Sequence, residues 1–174
     1  SKLVKGETYF SIEREIESWI HGFSENQRVL FSNFPHFESN LHEMHGVFKI
    51  GKLDPYNPMD MLYRLAEEIT KNGLVEFGYA QVVDAIRFVL AYLATERSLS
   101  YNPENIVEAV DHAFLAYFMP QFEYILPDLR RETISGEVPN IKNILEGIIK
   151  NLEKLGLRRS MDKVRMLLEE HKSF

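Results

Sequence analysis

Phe77-Gly78-Tyr79-Ala80-Gln81-Val82-Val83-Asp84-Ala85-Ile86-Arg87-Phe88-Val89 is the stretch that decides the fold. Beyond Gly78 the run is apolar almost all round, through Leu90, Tyr92 and Leu93. A helix of that kind is contacted on several sides, so the pattern predicts a central helix over about 79–96.

Helix signals flank it. Upstream, Asn57-Pro58-Met59-Asp60 is a start: Asn caps, Pro suits the first helical position, and Asp meets the positive end of the dipole. Leu62, Leu65, Ala66 and Ile69 form its buried stripe, and Lys71-Asn72-Gly73 is its stop. Downstream, Asn102-Pro103-Glu104 repeats the cap and launches a helix through Ile106, Val110, Phe114, Tyr117 and Phe118, expected to end near Pro120. Pro127 and Ser135-Gly136-Glu137-Val138-Pro139 mark a polar connection. A helix over about 140–155 buries Ile141, Ile144, Leu145, Ile148 and Leu152 and stops at Gly156. A last helix is expected to start at Ser160 as its N-cap and to bury Met161, Val164, Leu167 and Leu168.

The N-terminal part reads differently. Ile12, Ile16, Trp19, Ile20 and Phe23, with Tyr9, predict a first helix over about 8–22, stopped by Gly22. Val29-Leu30-Phe31 and Val47-Phe48-Lys49-Ile50 are β-prone runs around a loop rich in His, Phe, Ser and Asn. They predict a small β-hairpin or irregular excursion. The expected fold is therefore mainly α: residues 57–174 form a helical bundle, and residues 1–56 form an N-terminal helix plus a β-prone segment. No internal repeat or low-complexity tract is present.

Apolar residues are 45% and aromatics 12% of the 174 residues, enough for a substantial core. The net charge of −6 is unevenly spread. Residues 1–129 carry 10 Lys+Arg and 19 Asp+Glu, hence −9; residues 130–174 carry 10 and 7, hence +3. An acidic body repels a phosphate backbone, so direct nucleic-acid binding is disfavoured. No cysteine is present, which excludes disulfides and thiolate metal sites and fits a cytoplasmic protein. No run is long and apolar enough to span a membrane. The chain opens on Ser1 rather than Met, so the natural protein is expected to extend upstream.

Motifs that carry chemistry are sparse. No G-x-x-x-x-G-K-[ST] loop occurs, and the nine glycines are scattered, so this chain has no Walker-type phosphate cradle. His42-Glu43-Met44-His45, with His36 nearby, is one residue short of zincin spacing and has no evident further ligand, so these histidines are expected in a solvated loop. His112 is expected to be packed or half-buried. No Ser sits in a nucleophile elbow. Glu67-Glu68 and Glu169-Glu170 are adjacent on helices, where neighbours point about 100° apart, so they do not converge on one bond. The stripe Phe114, Tyr117, Phe118, Phe122 and Tyr124 is expected in the core rather than as a stacking platform. No catalytic residue and no metal site is assigned. Arg130-Arg131 and Arg158-Arg159, each at a helix junction, are the candidates for an interface or phosphate contact.

Three phrases, in order, resemble the C-terminal helical lid of McrB-like AAA+ ATPases, the motors of modification-dependent restriction. They are Phe77-Gly78-Tyr79, Ile125-Leu126-Pro127-Asp128-Leu129 and Arg159-Ser160-Met161-Asp162-Lys163-Val164-Arg165-Met166-Leu167. The resemblance covers about residues 58–174 and implies a lid that is non-catalytic by itself. The parent would bind ATP or GTP with Mg, and the partners would be an upstream ATPase core, neighbouring ring subunits and an McrC-like nuclease. It places Gly78, Tyr79, Ala80 and Gln81 on the lid face near the nucleotide. Ala80 stands where many relatives carry a sensor Arg, so either a sensing role falls to another group, such as Gln81 or Arg87, or this lid does not sense nucleotide that way. Two other readings stand beside it. One is a stand-alone helical protein-interaction module that uses the acidic body and residues 24–57. The other is a small enzyme built on the histidines.

Overall fold

A computed structural model of the chain describes residues 7–49, 56–97, 99, 101–124, 127 and 141–172. Its helices are α1 (Glu7–His21), α2 (Glu25–Leu30), α3 (Phe37–Val47), α4 (Pro58–Lys71), α5 (Tyr79–Ala94), α6 (Pro103–Ala113), α7 (Ile141–Leu155) and α8 (Arg158–Lys172). Among the described residues no strand occurs.

Helix α5 is the hub. Its Val82, Val83, Ile86, Val89, Leu90 and Leu93 are buried, and α1, α3, α4 and α6 all pack against it. Helix α1 lays Ile12, Ile16 and Ile20 into this core, one turn apart. The buried residues of α1 and α3 belong to the same hydrophobic core as those of α4 to α8. The core thus runs across the change of sequence pattern at residue 57.

Local chemistry sets the boundaries of α4 and α6. The Asn57 side chain, fully buried, accepts from the Met59 amide at 3.0 Å, and its Nδ2 donates to the Lys49 carbonyl. Asn102 accepts from the Glu104 amide at 3.0 Å. Helix α7 ends in a Schellman turn. The Leu157 amide donates to the Leu152 carbonyl at 2.9 Å and the Gly156 amide to Glu153 at 3.0 Å. Gly156 has φ +78°, while a Cβ there would meet Val107 only at 3.6 Å. The cost of a side chain is therefore conformational rather than steric. Gly156→Ala is expected to lose about 1–2 kcal/mol in urea unfolding; an unchanged midpoint would contradict this.

Three expectations need correction. Residues 25–47 form two helices instead of a hairpin. Ser24 starts α2 with a capping box: its hydroxyl accepts the Gln27 amide, and Gln27 Oε1 accepts the Ser24 amide at 2.8 Å. Helix α3 buries Phe37, Leu41 and Met44, with Phe48 just beyond, a helical period hidden among polar residues. The helix through Phe118 does not end at Pro120. A π-helical stretch, Phe114–Phe118, follows α6, and α-helix resumes over 119–124. The Met119 amide reaches back five residues to Phe114. In a regular α-helix the Pro120 ring would press on the Ala116 carbonyl; the wider turn just before it relieves that clash. Finally, Ser160 lies inside the first turn of α8, which starts at Arg158, and is not the N-cap.

Candidate functional site

The opening phrase is built into a helix start. Phe77 is fully buried and stacks on Phe118, with ring centroids 4.5 Å apart, while Phe122 lies 6.1 Å away. The Gly78 amide donates to Gln81 Oε1 at 3.0 Å, closing the first turn of α5. The Tyr79 hydroxyl bonds Glu15 of α1; burial first, and then that carboxylate, push its phenol up to about 12. Arg87 stands 3.6 Å from Glu15 and 3.7 Å from Asp84, with its guanidinium 5.9 Å from the Trp19 ring centre. Gln81 and Arg87, the two groups to which the resemblance would give a sensing role, are thus both engaged within the chain. Ala80 is exposed.

The closing phrase docks on α6. Asp111, buried on α6, accepts the Arg159 amide at 3.1 Å and the Ser160 amide at 2.9 Å. The fully buried Ser160 hydroxyl donates to Asp111 Oδ1 at 2.5 Å. A carboxylate from another helix thus caps α8, satisfying amides that would otherwise be orphaned. Nothing near residue 158 in the sequence signals this cap. Lys163 reaches Glu123 at 3.5 Å, a second tie to the same long helix.

Of the arginine candidates, Arg158 and Arg159 are exposed at the start of α8. Arg159 Nη1 lies 2.8 Å from His112 Nε2. Guanidinium can only donate, and the same nitrogen lies 3.4 Å from His112 Nδ1, so the imidazole is the accepting side of this contact. Glu108 flanks this pair at 3.8 Å from His112, and the Tyr92 hydroxyl donates to it at 3.5 Å. Arg130 and Arg131 lie outside the described residues, as does most of the Ile125–Leu129 phrase.

The histidines gather differently from the expectation. His42 and His45 lie on α3 and meet His21 of α1, with ring centroids 4.7 and 5.9 Å away. His36 sits just before α3. Among the described residues no group of three or more His, Asp or Glu side chains is arranged to hold a metal. The expected core stripe is buried at Phe114, Phe118 and Phe122, but Tyr124 is exposed. Asn40 is a further polar tie that sequence reasoning missed: its amide donates to the Ala94 and Glu96 carbonyls at 3.0 and 2.9 Å, closing the end of α5.

Two surface cavities stand out. One of about 550 Å³ is lined by Phe23, Phe31, Phe34 and Phe37 beside the Arg28–Glu38 pair. The other, about 410 Å³, lies between α4 and α7, where Arg64 and Lys154 are opposed by Asp60 and Glu68. Neither offers cations free of nearby carboxylates.

No protein-family model, curated protein or solved structure matches this chain. Among the described residues no helix is long and apolar enough to cross a membrane.

Proposed function

We propose that the chain is the C-terminal lid or assembly domain of an AAA+ NTPase of the McrB type, non-catalytic in isolation and working in the cytoplasm. Its partners would be the ATPase core, neighbouring subunits of a ring and an McrC-like nuclease. The observation that carries this reading is the shared anchorage of two of the three resembling phrases. Phe77 stacks on Phe118 and Ser160 bonds Asp111, so both phrases brace one long helix. A lid needs such bracing to move as a rigid body against its core. Arg158 and Arg159, exposed at the start of α8, are the side chains offered to a neighbour.

The nucleotide belongs to the parent's core. Gln81 closes a helix turn and Arg87 faces Glu15 and Asp84, so neither is turned toward its phosphates. The purified chain is expected to hydrolyse neither ATP nor GTP above a protein-free blank with Mg present. Added to an McrB-like core lacking its own lid, it is expected to restore nucleotide-dependent assembly, read by light scattering. Hydrolysis by the chain alone, or no association with the core, would overturn the reading.

A stand-alone interaction module is the second reading. It is favoured by the exposed Val29 and Leu30 of α2, 66% and 75% accessible, close to the aromatic cavity. On this reading the chain does not associate with the core at all; core assembly that is lost on Val29→Ser/Leu30→Ser and kept on Arg158→Ala/Arg159→Ala would instead retain the first reading and move its contact surface to α2.

A further inference from the structure

Helix α3 is held on one side by polar bonds and on the other by histidines. Asn40 ties it to the end of α5. Toward α1 it presents His42 and His45, which meet His21. His45 is half-buried, and its Nε2 is enclosed with no hydrogen-bond partner among the described residues. Glu13, Glu17 and His21 face it from α1, and Lys49 from just beyond α3. On α3 itself, Glu43 is turned to Tyr101 and Glu38 to Arg28. The charged Asp84 and Arg87 of α5 are gathered around Glu15 instead.

We propose that His45 is an acid-sensitive latch between α1 and α3, closed while the imidazole is neutral and loosened when it takes a proton. The neutral ring can leave Nε2 as a bare lone pair, which tolerates an apolar wall. A proton there creates a charged N–H with no acceptor, beside the His21 imidazole. The strain is relieved if the ring swings to water, and α3 then parts from α1. Asn40 does not titrate, so the contact with α5 holds and the opening is one-sided.

The direction of the pH dependence follows. Burial, the largest influence, holds the His45 imidazole below its ordinary 6.5; Glu17 opposes this, Lys49 and His21 add to it, and Glu13 opposes it. The unfolded chain therefore binds this proton more readily than the folded one. The stability tied to neutral His45 is complete above 6.5 and is lost as the pH falls through that value toward the lower folded one.

Thermal melts of the full chain at about pH 7.5 and about pH 5.5 span the range in which histidine changes charge. Between them the wild type is expected to lose about 2–4 °C more than His45→Gln, the shift for roughly 1 kcal/mol in a chain of this size. Equal losses in wild type and His45→Gln would overturn the proposal. If His45→Gln does not fold, a proton NMR titration of the wild type decides. The His45 imidazole, assigned through its own backbone amide, should titrate below 6.5, and a midpoint at or above it would overturn the latch. Zinc that raises the wild-type melting temperature but not that of His45→Gln would also overturn it, in favour of a metal site.

Discussion

Asp111→Ala is expected to destabilise the chain by roughly 3 kcal/mol, the cost of losing charge-assisted hydrogen bonds and orphaning buried donors. The side chain closes the Arg159 and Ser160 amides and takes the Ser160 hydroxyl, all from 48 or 49 residues away. Without it the first turn of α8 has no cap, and α8 loses its main polar tie to α6. Asp111→Asn keeps one oxygen acceptor and should cost about half as much. Ser160→Ala should cost about 1 kcal/mol, because it removes one bond and leaves the two amides satisfied. The double variant Asp111→Ala/Ser160→Ala should fall short of the sum, since both changes break the same bond. Urea unfolding followed by circular dichroism reads all four. A loss below about 1 kcal/mol for Asp111→Ala would mean that water replaces the cap without penalty.

Phe77→Ala is expected to cost more, about 3–5 kcal/mol, as for other fully buried aromatic rings. Its ring touches Phe118 and Phe122, which flank Pro120 on the long helix, so the cavity would open where three elements meet. Phe77→Leu should recover much of that loss. Ala80→Arg, three positions on and exposed, is expected to change stability by no more than about 0.5 kcal/mol. That contrast separates a phrase that builds a helix junction from one whose surface is needed for folding. A comparable loss for Ala80→Arg would place Ala80 within an unrecognised packing surface.

What could be read from the sequence, and what could not, divides by the distance over which an interaction acts. The caps at Asn57 and Asn102 and the positive-φ turns at Gly73 and Gly156 act within one turn, so their positions in the sequence announce helix ends. The buried stripe of α4 was equally legible, because periodicity is local. Ser24 and Gln27 were legible in principle, but the β-prone Val29 and Phe31 outweighed them. Asp111 was not legible at all, since nothing in its own helix indicates that it caps another. The same holds for Asn40 and for the meeting of His21 with His42 and His45, which depends on how α1 lies against α3. Of the candidate site, the helix start at Gly78 was readable. The engagement of Gln81 within its own turn and of Arg87 with Glu15 was settled by packing.

The π-helical stretch before Pro120 works as one surplus residue in a helix that would otherwise keep a regular register. Removing one residue from Phe114–Phe118 would close the stretch into regular α-helix and leave the 119–124 segment on nearly its present face, with Phe122 still toward Phe77 and Glu123 toward Lys163. The same deletion within Pro103–Ala113, where no residue is surplus, would turn all that follows by about 100°. The stretch is therefore where this helix can give up a residue, whereas α6 is held to its length.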